Sequence, residues 1–129
     1  MIVIHGASLS PYVRKTLVIA DEKGIEFEHR PGRFGQPEED FLKASPFRKI
    51  PALAHDDFTV ADSSAIIHYL EAIQPDPAMI PTEAKARAKT IWYDEFGDTI
   101  VGAAGGAIFF NRFVAPMALK QAGDLAAAD

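Results

Sequence analysis

The chain has no cysteine. That absence excludes a disulfide frame, a Cys-x-x-Cys redox pair and any thiolate metal site. Positive charge is also scarce: 13 Lys and Arg stand against 18 Asp and Glu, for a net charge of −5. The first 83 residues carry 8 basic and 13 acidic side chains and the rest carry 5 of each, so the acidity sits in the N-terminal part. A nucleic-acid partner wants a basic face, and none is offered. The four histidines (His5, His29, His55, His68) show no metal-ligand spacing, so no metal is expected. No apolar run approaches membrane-spanning length, and Ile2-Val3-Ile4 is too short for a signal-peptide core. The expectation is a cytoplasmic protein with no membrane partner. No internal repeat or low-complexity tract appears. With 48% hydrophobic and 24% charged residues, the 129-residue chain is globular and long enough for one ordinary domain or two small ones.

What is present is a series of local signals. Residues 2–5 read as a buried strand. Ser8-Leu9-Ser10-Pro11-Tyr12-Val13-Arg14-Lys15 then reads as a polar turn and the start of a helix. Ser10 is a strong N-cap type and Pro11 suits N1. Val13, Leu17 and Ala20 recur at helical spacing over 11–23, and Gly24 suits the end. Ile25 to Arg30 alternates as a second strand, which a βαβ crossover makes parallel to the first. Residues 31–37 are a Gly/Pro loop, and Glu38 to Lys43 make one or two helical turns ended by Ser45-Pro46.

Pro51 stands just before a strand-like run, where proline is tolerated, and a cis Ile50–Pro51 bond would turn the chain there. His55-Asp56-Asp57 is a hairpin turn with Phe58-Thr59-Val60 as its partner strand. Asp62-Ser63-Ser64 opens a helix whose apolar stripe is Ile66, Leu70 and Ile73. A connector over 76–83 separates a first domain, 1–75, from a second part, 84–129. That part begins with a long amphipathic helix through Trp92, Phe96, Ile100, Ala103 and Ala107. Pro116 should break this helix, residues 119–129 start another, and Trp92 is expected in a core. One long helix cannot bury its own stripe, so its face must lie on the first domain, another chain or further sequence.

Three separate stretches, Ser8 to Lys15, Arg48-Lys49-Ile50-Pro51-Ala52-Leu53 and Asp62-Ser63-Ser64-Ala65-Ile66, together resemble the glutathione transferase family. The resemblance covers residues 1–75 well and reaches more weakly through Trp92-Tyr93-Asp94-Glu95-Phe96. It implies an α/β fold: a thioredoxin-like domain followed by the first part of an all-helical one. It also implies glutathione as co-substrate, an electrophilic small molecule as the second substrate, and a homodimer. In that dimer Asp94 or Asp98 reaches the neighbouring site.

The resemblance also assigns roles, each beside a plainer one. Asp62 matches the acceptor for the γ-glutamyl ammonium and Ser63 the donor to its carboxylate; the plainer role is an N-cap. Ile50 matches the backbone partner of the cysteinyl unit, and Pro51 the cis-proline after it. Lys49 is the candidate for the glycine carboxylate, with Arg33 a second by position, while Arg48 reads as solvated surface. Ser10 matches the serine that activates the thiol, Ser8 is its rival, and Tyr12 reads as packing. Ala7 stands where a related bacterial class has a catalytic cysteine, so mixed-disulfide chemistry on the protein is unavailable. The expected function is conjugation of the glutathione thiolate to an electrophile; the alternative is a non-catalytic binding module of the same fold.

Overall fold

The computed structural model describes residues 1–32 and 37–129. Arg33 and the middle of the loop expected over 31–37 lie outside the described residues. The chain forms two compact units, Met1–Ile80 and Pro81–Asp129, taken separately below.

The first unit runs β1 (Ile2–His5), α1 (Pro11–Glu22), β2 (Phe27–Arg30), α2 (Glu39–Ala44), β3 (Ala52–His55), β4 (Phe58–Ala61), α3 (Ser63–Ile73). The sheet order is β2-β1-β3-β4, with β1 and β2 parallel and the other pairs antiparallel. This is the thioredoxin-like arrangement the resemblance implies. Helices α1 and α3 pack on each other, closing a core of Ile2, Ile4, Ala20, Leu53, Ile66 and Leu70. Full burial of such side chains contributes roughly 1.5–3 kcal/mol each.

One strand boundary differs from the sequence reading. β2 begins at Phe27, not Ile25, because the Ile25 N–H closes α1 by donating to the Ala20 carbonyl at 3.0 Å. Lys23, just after α1, is 2% exposed. Its Nζ donates to a Glu71 carboxylate oxygen at 2.6 Å and to the Pro77 carbonyl at 2.8 Å. Glu71 also accepts from the Met79 and Ile80 N–H groups, each at 3.1 Å. One α3 carboxylate therefore ties 77–80 to the first unit, and the connector read over 76–83 divides at Ile80. The Ile50–Pro51 bond is cis, as expected, and so is Asp76–Pro77, which nothing in the sequence reading singled out.

The second unit is dominated by one helical rod. α4 (Ala84–Glu95) is capped by Glu83, whose carboxylate accepts from the Lys85 and Ala86 N–H groups. Wider π-type turns follow over Phe96–Val101, then α5 (Gly102–Phe109), then further π-type turns over Phe110–Ala118. Pro116 does not break the rod. The wide turns absorb its missing N–H, and Leu119 N–H reaches the Val114 carbonyl at 3.1 Å. The helix expected over 119–129 shrinks to one 3₁₀ turn, Ala126–Ala128. Trp92 is 59% exposed, which corrects its assignment to a core. Its ring packs against those of its neighbours Tyr93 and Phe96. The continuous helix Ala84–Met117 is long and apolar enough, by length and composition alone, to cross a membrane. That corrects the expectation that no segment reaches that length, because the glycine-rich stretch and the aromatics after it carry few charges.

Candidate functional site

One row of residues crosses all four strands of the sheet. Arg30 pairs with His5, His5 with Ala52, and Ala52 with Ala61. The ladder continues one step further at this end. The Gly6 N–H donates to the Arg30 carbonyl at 2.9 Å, and the Asp62 N–H donates to the Pro51 carbonyl at 3.3 Å. Pro31, Gly6, Pro51 and Asp62 thus follow each other along one rim, where the two parallel strands end. Ligands of open α/β sheets bind outside the carboxyl ends of such strands.

The rim can close only because residue 6 is glycine. Its φ is +134°, and a Cβ there would lie 2.6 Å from Val13 Cγ2 and 2.9 Å from Ile50 Cβ. The sequence reading passed over Gly6; a glycine directly after a strand was the available signal. It also passed over Ser45, read only as part of a helix stop. Ser45 is 1% exposed; its hydroxyl donates to the Lys49 carbonyl at 2.7 Å and accepts from the Lys49 N–H at 2.9 Å. Together with Arg48 N–H to the Ser45 carbonyl, this pins the loop that presents Arg48, Lys49 and Ile50.

The residues picked from the sequence fall as follows. Ile50 and Pro51 stand at the rim's centre. Asp62 stands at its β4 end, with φ +87°, a conformation that strains any side chain but is tolerated better by Asp than by most. Its Oδ1 accepts from the Ala65 N–H at 3.0 Å, so it caps α3. Ser63 opens that helix and is buried. Ser10 occupies the N-cap position of α1 but makes no side-chain cap bond, which corrects the expectation that its hydroxyl caps. Pro11 has already removed one orphan N–H from that helix end. Ser10 is half-buried, Ser8 is exposed, and Lys49 is exposed.

A cavity of about 350 Å³ opens on the rim between β1, β2, α2 and the segment before β3. His5, Gly6, Ala7, Arg30, Phe41, Arg48 and Ile50 line it, with Pro31, Gly32, Pro37 and Glu38. Of the sequence candidates among the described residues, only Ile50 borders it. Arg30 is bound bidentately to Glu28 at 2.7 and 3.1 Å and reaches Asp40 at 3.5 Å. That contact holds the Glu28 carboxyl below its ordinary range and raises Arg30. His5 is 3% exposed and packs beside Phe41. Burial, and then the Arg30 charge, push its imidazole below the ordinary histidine range, against opposing pulls from Glu38, Asp40 and Glu28. Its Nε2 has no hydrogen-bond partner among the described residues. The rim therefore offers a backbone edge at Ile50 that is unpaired among the described residues, an acidic cap at one end and a cavity lined by Arg30 and Arg48 at the other.

Residues 4–78 match the N-terminal domain of glutathione S-transferases. Protein LigF of Sphingobium sp. is 36% identical over 116 residues, which are 83% of this chain and 45% of LigF. A probable maleylacetoacetate isomerase of Drosophila melanogaster is 43% identical over 51 residues, 40% of this chain and 21% of that protein. The crystal structure of a glutathione transferase from Populus trichocarpa superposes with a TM-score of 0.83 at 28% identity, covering 100% of this chain and 63% of that one. The chain belongs to the glutathione transferase family. It spans less than half the length of these curated relatives.

Proposed function

We propose that this chain binds glutathione along the rim and directs its thiolate at an electrophilic small molecule. The observation that carries the proposal is the single row Pro31–Gly6–Pro51–Asp62, which gives an extended peptide an edge to pair with and a charge at the β4 end. In this reading Asp62 accepts from the γ-glutamyl ammonium and Ser63 donates to its carboxylate. Ile50 pairs by backbone with the cysteinyl unit, held by Pro51, and the glycyl end passes to the Arg48–Lys49 side of Ile50. Ser10 donates to the sulfur, with Ser8 as the alternative donor.

A thiol with a pKa of about 8.5 is mostly protonated at neutral pH. A hydroxyl donor and the start of α1 both favour its anion. Carbon–sulfur bond formation then follows, with loss of a leaving group or with opening of a double bond. Relatives include a protein named as an isomerase, so isomerisation through a transient glutathione adduct is the neighbouring reaction. The proposed setting is the reducing cytoplasm, and the proposed assembly is a homodimer that covers Trp92, Phe96 and Ile100, which are 59%, 40% and 62% exposed.

Calorimetry with reduced glutathione, followed by an assay with an activated aryl halide, tests the proposal on this chain. Binding and turnover are expected. Binding without turnover would leave a binding module of the same fold, and absence of binding would overturn the assignment.

A further inference from the structure

We infer that His29 is a positioning residue for the thiol site: by holding the Gly6 carbonyl it fixes the turn from Ala7 to Ser10 that aims the activating hydroxyl. This rests on the glutathione reading above. His29 lies half-buried on β2 and reaches across to the residue after β1. Its Nε2 is 2.8 Å from the Gly6 carbonyl oxygen. A carbonyl only accepts, so Nε2 carries the hydrogen and donates it. Gly6 is thereby bonded to β2 twice, since its N–H also donates to the Arg30 carbonyl at 2.9 Å.

Gly6 needs such a hold. The space beside Val13 and Ile50 admits no Cβ, and φ is +134°. The same missing side chain removes the steric limits that would restrict the backbone of another residue. The Arg30 bond holds only the Gly6 N–H, on the near side of its Cα. The His29 bond holds the far side. It sets which way the Gly6–Ala7 peptide faces, because that peptide is planar and its carbonyl carries the plane with it. The chain then turns at once: the Ser10 N–H donates to the Ala7 carbonyl at 3.0 Å, and Ser10 is the N-cap of α1. Ser10 makes no side-chain cap bond, so this backbone, and not a cap bond, aims its hydroxyl. A misplacement of about 1 Å at a reacting centre can cost about 10²-fold in rate, so a clamp on the turn reaches the chemistry.

The test reads the pH–rate profile of glutathione conjugation to an activated aryl halide in His29→Leu, His29→Asn and His29→Gln, each also combined with Ser10→Ala. Leu cannot donate and Asn stops short of the carbonyl, whereas Gln carries an N–H at the reach of Nε2. His29→Leu and His29→Asn are expected to raise the midpoint by about 0.5–1 unit and to lower turnover at pH 7 by about 3- to 10-fold, the worth of one neutral hydrogen bond. The KM for glutathione should hardly change, because the contacts at Ile50, Asp62 and Ser63 remain. His29→Gln should restore both rate and midpoint. On the Ser10→Ala background no His29 substitution should shift the midpoint further, since the hydroxyl that His29 serves is gone. A merely structural role would lower stability and leave the midpoint where it is. A folded His29→Leu or His29→Asn with an unshifted midpoint would therefore overturn the inference. So would His29→Gln behaving like His29→Leu, or a shift that persists on the Ser10→Ala background. An unaltered chain that binds no glutathione would remove the reading beneath it and the inference with it. One that binds and turns over, with His29 variants that match it, would remove this inference alone.

Discussion

Lys23 and Glu71 form an ion pair at 2.6 Å whose side chains are 0% and 14% exposed. The pair joins the end of α1 to the last turn of α3, and Glu71 also gathers the Met79 and Ile80 amides. Removing one member of a buried pair leaves an uncompensated charge and costs about 3–5 kcal/mol. Glu71→Ala is expected to lose that much in urea unfolding of the chain. Burial pulls the Glu71 carboxyl upward, but the Lys23 ammonium and the Ile80 and Met79 amides outweigh it and hold it below the ordinary range. The sign follows. Its contribution is full above the unfolded glutamate pKa of about 4.3 and is lost as pH falls through the lower folded value. The stability gap between the unaltered chain and Glu71→Gln should therefore shrink on acidification from about pH 5 downward. A gap that stays constant would remove the ion pair from the account.

His5 carries a pH dependence of the same sign, at a higher pH. Its imidazole is buried, its Nε2 has no partner among the described residues, and its pKa is lowered. Below an unfolded value of about 6.5, the unfolded chain takes a proton that the folded one declines. Stability should fall as pH drops from about 7 toward 5. His5→Phe keeps the ring beside Phe41 and removes the polar atom. It is expected to flatten this part of the profile and to gain roughly 1–3 kcal/mol, the usual penalty for an unsatisfied buried group. An unchanged slope would show that His5 is not its source.

Much of the rim was legible because local chemistry and global fold agree there. Pro11, Pro51 and Asp62 each mark an element's start, and each element starts where expected, within a residue or two. The cavity was not legible. Its wall is assembled from β1, β2, α2 and the turn before β3, and no sequence window contains all four. Arg48 illustrates the difficulty. Beside Lys49 it reads as surface charge, and only its positive φ and the Ser45 contacts turn it toward the cavity wall. Trp92 shows the reverse: a residue type associated with cores is 59% exposed on its helix.

Asp62 has two roles that substitution can separate. It caps α3 through the Ala65 N–H, and it is the proposed partner of the γ-glutamyl ammonium. Asn caps as well as Asp and tolerates a positive φ, so Asp62→Asn should keep its stability. Asp62→Ala should lose about 1 kcal/mol. Both should weaken glutathione binding by roughly 1.5–3 kcal/mol, the worth of a hydrogen bond to a charged group. Full affinity in Asp62→Asn would confine Asp62 to capping.

Ser10 offers the cleanest test of thiol activation because its hydroxyl is not spent on the helix. It sits at the N-cap of α1 without a side-chain cap bond, while its N–H is held by the Ala7 carbonyl at 3.0 Å. The backbone is thus fixed and the O–H remains available to donate. With no cap to lose, Ser10→Ala should leave stability within about 0.5 kcal/mol, the range of ordinary surface changes. That sets it apart from most N-cap serines, whose loss costs about 1 kcal/mol. The effect should fall on the bound thiol instead. A hydrogen bond to the thiolate is worth roughly 1.5–3 kcal/mol, and 1.36 kcal/mol corresponds to one pKa unit. The midpoint of the pH–rate profile should therefore rise by about 1–2 units in Ser10→Ala, with turnover at pH 7 falling in proportion and glutathione affinity nearly unchanged. Ser8→Ala, altered at an exposed position in the preceding turn, should keep both the rate and the midpoint. The reverse outcome, with Ser8→Ala inactive and Ser10→Ala unshifted, would make Ser8 the donor. If neither variant shifts the midpoint, a backbone N–H or the α1 terminus activates the thiol, or the domain is not a transferase.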